Sequence, residues 1–277
     1  MSSHLQAGSP RSNPWYASTN LTEFNGVYDG GFHEVKNMYI NNLLDKQGLF
    51  GRIARGAQLR NLGVTDAYIR SANHGVLVGE IYDKPIVVQC WTSGNIATQG
   101  QYAGNQGGLI GNMAGGSYVL NCGTSVQMIN RGDAGLAIYH TAVYGGFNVW
   151  AQDTLVNFLY TGNGYGYSSF QHRENFFADK EKAQIEYLGD GTEYGDPNCT
   201  LDSTRWMQSK DLVNIYNYSV ARWNERHAGN DTLQLHYWEW REGDYPRVAR
   251  DANWKPEVTI TFIVNNFLSS VFLLAFI

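Results

Sequence analysis

The chain has 277 residues, a formal charge of −5 and an isoelectric point near 5.8, so it lacks the basic face that nucleic-acid phosphates require. Glycine is abundant at 31 residues and proline scarce at 6, while 18 tyrosines, 12 phenylalanines and 8 tryptophans exclude a disordered chain. The length allows one large β domain, or a repeat array with an appendage, and either can bury a substantial core.

Residues 1–20 are polar, are broken by Gly8-Ser9-Pro10 and Asn13-Pro14, and lack the apolar stretch of a secretory signal; they read as an N-terminal extension. Further along, Gly48-Leu49-Phe50-Gly51-Arg52-Ile53 and Gly108-Leu109-Ile110-Gly111-Asn112-Met113 read as one segment written twice. Each leads into a β-like stretch, residues 57–63 and 117–123. Weaker copies start at Gly75 and at Gly135, the second followed by Gly146-Phe147-Asn148-Val149-Trp150. The step is 27 residues from Gly48 to Gly75 and again from Gly108 to Gly135, and 33 from Gly75 to Gly108, where a loop around Gln99 to Gln106 accounts for the excess. A period in this range predicts an all-β chain built as a β-solenoid, whose units bury their apolar faces only by stacking.

Alternation favours strands. Tyr118, Leu120 and Cys122 keep a period of two, as do Ile86, Val88 and Cys90, while Leu59, Leu62 and Val64 slip once. Glycine at this density would cost a helix about 1 kcal/mol per position, so helix is disfavoured through residue 165. Glycine at corners is expected to supply positive φ. Asn61 and Asn121 occupy matching places, where they either stack amides between units or simply favour a turn. Cys90 and Cys122 are likewise equivalent and read as neighbouring buried free thiols. With Cys199 they show no CxxC spacing and no paired histidines, so no metal or cofactor is expected.

In these units the chain resembles the GLUG-repeat proteins, named for a glycine-leucine-aliphatic or aromatic-glycine unit and found in large bacterial surface and secreted proteins. Phe24-Asn25-Gly26-Val27-Tyr28-Asp29-Gly30 with Val35, Asn37, Met38 and Ile40 resembles the segment that opens such arrays, and the likeness covers about residues 21–162. Trp206-Met207-Gln208-Ser209, Leu212-Val213, Asn217, Trp238 and Gly243-Asp244-Tyr245-Pro246 are similar to the segment that closes them. The resemblance implies a right-handed parallel β-helix, no catalytic residues in the repeats, and a small C-terminal cap with a short helix and a tryptophan-anchored turn. It also implies an extracellular or cell-surface location. Gly75 and Gly79 are four apart where the motif wants three, and the Gly135 unit lacks its second glycine.

The expected organisation is therefore an extension (1–20), a solenoid (21–165), a cap (166–257) and an apolar tail (258–277). The tail lacks charge and is near the length of a bilayer crossing; it reads as a buried β segment, a membrane span or a non-native end. Trp206, Trp223, Trp238, Trp240 and Trp254 gather in the cap, either as a glycan-stacking platform or as its core. If 237–241 is a strand, Trp238 and Trp240 share a face and are displayed or buried together. They are the candidate glycan contacts, with Tyr165 and Tyr167.

Other constellations read as structural. His74 falls at a repeat glycine. His33-Glu34 lacks the second histidine of a metalloprotease helix, and the acidic loop 190–196 lacks the alternation of a calcium loop. Gly162-Asn163-Gly164-Tyr165-Gly166 has no Lys-Ser/Thr after it, and Arg131-Gly132-Asp133 is short enough to arise by chance. Sequons at Asn20, Asn198, Asn217 and Asn230 matter only on a glycosylating export route. Together with the resemblance, which alone implies the location, the residues favour a non-enzymatic surface or secreted repeat protein whose partner is a glycan or a host or cell-surface protein. The alternative is a carbohydrate-active enzyme or its accessory module, for which Asp133 and Asp153 on neighbouring units are the candidate carboxylates.

Overall fold

The computed structural model describes residues 23–41, 44, 46–71, 74–97, 106–113, 116–129, 140–141, 154–162, 172–182 and 200–256. Parallel strands dominate them. β1 (Val27–Lys36), β2 (Tyr39–Asn41), β4 (Gln58–Arg70), β7 (Ile86–Val88), β8 (Trp91–Ala97), β11 (Tyr118–Ile129), β13 (Thr154–Tyr160), β14 (His172–Asp179) and β15 (Thr200–Asp202) form a nine-stranded sheet A. β3 (Phe50–Ala54), β6 (Val78–Tyr82) and β10 (Ile110–Met113) form sheet B; β5 (His74–Gly75), β9 (Gln106–Gly107) and β12 (His140–Thr141) form sheet C. The chain visits B, A and C in that order three times, and all pairings within these sheets are parallel. The fold is all-β with an added helical segment.

The register shows what the glycine count missed. Arg52, Glu80 and Asn112 stand in one row at steps of 28 and 32 residues. Gly75 pairs with Gly107, not Gly108, and Gly107 pairs with Thr141; the expected unit start at Gly135 lies outside the described residues. The strand that next extends sheet A is β13; the expected stretch 146–150 lies outside the described residues. Loops absorb the variable spacing, while the register follows the columns of buried side chains. Leu59, Val87, Val119 and Leu155 make one such column, and Ile53, Ile81 and Met113 another, all within a single interior cluster.

The opposite face of sheet A is covered too. α2 (Lys210–Arg226) lays Leu212, Val213, Tyr216, Val220 and Trp223 over Val88, Leu120, Val156 and Phe177, with Ile86 and Tyr118 at the margin. Parallel strands are commonly covered on both faces. The expected period of two through Cys122 therefore fails: Tyr118 and Leu120 face the helix, whereas Val119 and Cys122 face the interior. The reversal happens at Asn121, whose φ is 51°, and recurs at Gln89 (55°), between Val88 and Cys90. The slip after Leu59 marks the same corner, at Asn61 (54°).

At this corner both readings of the asparagines hold. The left-handed residues form a row with Asn157 and Asn175, and their amides bond along it. Asn157 Nδ2 donates to Asn121 Oδ1 at 2.9 Å, Asn175 Nδ2 to Asn157 Oδ1 at 2.9 Å, Gln89 Nε2 to Asn61 Oδ1, and Asn61 Nδ2 to Asp29 Oδ1 at 3.0 Å. Asparagine tolerates this backbone better than other L residues. The repeat glycines do something else. Gly48, Gly75, Gly79 and Gly111 do not adopt positive φ, which corrects that expectation. They make room: a Cβ on Gly75 would lie 2.3 Å from Gly111 N, and one on Gly79 2.2 Å from the Lys46 carbonyl carbon.

Cys90, between β7 and β8, and Cys122, in β11, are free, buried neighbours, with Cys90 N donating to Cys122 Sγ at 3.4 Å. Burial, then the neighbouring thiol, pushes the Cys90 thiol well above its ordinary range.

Sheet A runs past the expected boundary at 165, because β14 and β15 continue it to Asp202. The cap follows: α1 (Thr204–Met207), α2, a 3₁₀ turn at Asp231–Leu233, and the antiparallel pair β16 (Trp238–Glu239) and β17 (Arg247–Val248). Ser203 and Ser209 cap the helices by accepting from Trp206 N and Leu212 N. The expected short helix is a 17-residue one, about 25 Å long at 1.5 Å per residue. Among the described residues no helix is long and apolar enough to cross a membrane; the tail from 257 lies outside them.

Candidate binding groove

Beyond the left-handed row, β4, β8 and β11 run on, with Trp91 at the start of β8 packed at the margin of the cluster that α2 covers. Gly63, Trp91 and Gly123 stand in register, then Ser93 beside Ser125, then Tyr68, Asn95 and Gln127. Tyr39 stacks on Tyr68 at 5.1 Å with the rings 15° apart. The outer surface here is thus hydroxyls, amides and aromatic rings. The β16–β17 pair faces it and closes a groove of about 1050 Å³, lined on one side by Glu34, Thr65, Trp91, Ser93, Ser125 and Gln127. Glu239, Arg241, Asp244, Tyr245, Arg247 and Arg250 line the other side.

Three polar locks place that second wall. Asn121 Nδ2 donates to His236 O at 2.7 Å and His236 N donates to Gln89 Oε1, so the amide row holds the cap. Asn217 brackets Trp238, accepting from its N–H at 2.7 Å and donating to its carbonyl at 2.9 Å. Asp179, fully buried at the end of β14, accepts from the Tyr245 hydroxyl and from Thr204 Oγ1 at 2.6 Å. Burial, reinforced by Asp179, pushes the Tyr245 hydroxyl well above the usual phenol range.

Trp91 is half-buried, and its ring lies over Gly123: a Cβ there would sit 2.2 Å from Cζ3 of the indole. The charges balance. Lys182, Arg241, Arg247 and Arg250 line the groove against Glu34, Glu239, Asp244 and Asp251. Three of those carboxylates are already paired, Glu34 with Lys36 at 3.0 Å, Glu239 with Arg241 at 3.4 Å and Asp244 with Arg247 at 2.8 Å. Burial would raise the Glu34 carboxyl, but Lys36, Thr65 and Arg250 together hold it below its ordinary value.

The expected glycan contacts fare unevenly. Trp238 is 2 % exposed and packs against Tyr216 at 4.7 Å, so it is core and cannot stack on a sugar. Trp240 is 37 % exposed, donates from Nε1 to Gln208 O at 2.9 Å, and carries Lys210 Nζ 4.6 Å from its ring centre. The strand ends at Glu239, which is why the two rings do not share a face. Tyr165, Tyr167, Asp133 and Asp153 lie outside the described residues. Trp91 was overlooked, although a signal existed: glycine stands at its equivalent place in both neighbouring units.

Elsewhere the polar clusters are closed. Ser71 Oγ lies 3.4 Å from His74 Nδ1, but both residues are fully buried, so this serine–histidine pair has no access to substrate. On sheet B, Glu80 meets Arg52 at 2.6 Å, Lys46 at 3.0 Å and Asn112 at 3.3 Å. Burial alone would raise its pKa, yet Lys46 and Arg52 bring it below the ordinary value, the opposite of what a general acid needs. Asn217 is buried and bonded in both directions, so its sequon is closed in the folded protein. Among the described residues no three metal-binding side chains gather.

An all-β scaffold of parallel sheets with a polar outer groove is the class these observations define. No protein-family model matches the chain, and no curated protein matches it. A solved structure does: a crystal structure at 1.30 Å described as a "putative immunoglobulin A1 protease" from Bacteroides ovatus is similar, with a TM-score of 0.52 and 17 % identity over 88 % of this chain and 83 % of that one. The likeness is one of fold.

Proposed function

We propose that the three sheets are the sides of a right-handed parallel β-helix of the GLUG-repeat kind. On this reading the chain is a non-enzymatic cell-surface or secreted protein that binds glycan or protein ligands. The repeated B–A–C path and the in-register amide and aliphatic rows support the solenoid reading. The observation that carries the function is the groove across β4, β8 and β11, whose lining mixes polar side chains with aromatic rings. A face repeated by stacked units offers several equivalent weak contacts, and their linkage raises overall binding without any one strong site. Against the enzyme alternative stand the depressed pKa of Glu80 and the burial of the Ser71–His74 pair.

Binding to immobilised polysaccharides and host glycoproteins, with release of reducing ends followed in the same wells, tests this. Retention without release is expected. Release that disappears on Asp153→Asn would overturn the non-enzymatic reading.

A further inference from the structure

We infer that the groove takes a neutral polysaccharide strand that crosses β4, β8 and β11, with the C–H face of one pyranose ring on Trp91 and its hydroxyls on the Thr65, Ser93 and Ser125 side chains. This rests on the binding reading above and narrows its ligand class.

Three observations lead there. The first is Trp91 itself. Gly123 has no Cβ to lift the indole, so the ring lies against the strand, packed at the margin of the cluster under α2, with its exposed part bordering the groove. An indole presents an electron-rich face, which attracts polarised C–H groups. A pyranose with mostly equatorial hydroxyls offers such a face and keeps its oxygens at the rim.

The second is the arrangement of hydroxyls. Ser93 and Ser125 are cross-strand partners, and Thr65 lines the same groove. Neighbouring strands are about 4.8 Å apart, so a ligand crossing them meets a hydrogen-bonding side chain at each strand. Gln127 adds an amide that can donate or accept.

The third is charge. Four cations and four carboxylates line the groove, and Glu34, Glu239 and Asp244 are already neutralised by cations within the protein. Cations and carboxylates are equal in number along the lining, so the groove has no excess of positive charge to draw a polyanion in, and the chain's net charge of −5 repels one at distance. A polycation would compete with existing ion pairs at three of the four carboxylates.

The test is affinity electrophoresis of the full chain through gels holding a neutral β-linked glucan or polygalacturonate, each with and without added salt. The glucan is expected to retard the chain to the same extent at both salt levels. Trp91→Ala is expected to weaken retardation about tenfold in Kd, from the loss of one aromatic contact, and Trp91→Phe to restore most of it. Circular dichroism of both variants establishes that the sheets remain. Retardation by polygalacturonate alone, lost in salt, overturns the neutral-ligand inference and leaves the binding reading standing. The same holds if both Trp91 variants are folded and bind glucan like the parent chain. No retardation by any polysaccharide, with no glycoprotein retained either, removes both.

Discussion

Replacing Asn121 measures what the amide row is worth. Its side chain donates to His236 O and accepts from Asn157 Nδ2, so it links two units to each other and to the cap. In Asn121→Ala both partners lose a bond in a buried setting, at about 1–3 kcal/mol for a stranded group, although Asn157 Nδ2 keeps its bond to Tyr216 O at 3.1 Å. Alanine must also adopt a φ of 51°, which costs about 1–2 kcal/mol relative to a residue at ease there. The sum is about 2–5 kcal/mol, large against the stability of an ordinary domain. Asn121→Gly relieves the backbone part only and should recover about 1 kcal/mol of it. Urea unfolding followed by circular dichroism reads both through the midpoint, with tryptophan fluorescence as a second probe of the cap. If Asn121→Ala stays within about 0.5 kcal/mol of the parent, the surface-substitution range, the row is decoration and the reasoning fails.

Gly75→Ala should prevent folding or cost more than about 4 kcal/mol, because its Cβ would lie 2.3 Å from Gly111 N, whereas Gly56→Ala meets no atom within 4 Å and should cost only about 1 kcal/mol for its φ of 70°; thermal melts separate the two. Glu80 has a lowered folded pKa, so its contribution is present above about pH 4.3 and fades as pH falls through the folded value; Glu80→Gln should flatten the acid limb of a stability–pH curve. Tyr245 has a raised folded pKa, so its contribution is present below about pH 10 and is lost as pH rises further; Tyr245→Phe should remove that alkaline loss and loosen the cap by about 1 kcal/mol. In a Cys199→Ser background, Cys90 and Cys122 should resist a thiol reagent until denaturant is added, because both are buried.

Much of the scaffold was legible because glycine, aliphatic alternation and recurring asparagine each answer to a local demand. The repeat at Gly48 and Gly108 announced parallel strands, and the equivalence of Cys90 with Cys122 placed two thiols side by side. What failed depended on distance in space. Gly75 stands beside Gly107 and not Gly108, a one-residue offset that spacing along the chain does not show. Leu120 and Cys122 looked like one face because nothing in their spacing reveals a left-handed residue between them. Trp238 and Trp240 looked like a pair because the end of a two-residue strand leaves no pattern. The groove was invisible for the same reason: its two walls are brought together by the Gln89–His236–Asn121, Asp179–Tyr245 and Asn217–Trp238 locks, which join residues far apart in the chain.

Binding along the outer groove without bond chemistry is the function proposed for this scaffold. It is tested most directly by incubating the folded chain with a panel of polysaccharides and measuring retained protein and released reducing ends on the same samples. The account predicts retention of the chain by a neutral glycan, weakened by Trp91→Ala, with no product from any substrate. Product release, or retention unaffected by Trp91→Ala and by every other groove substitution, would contradict it.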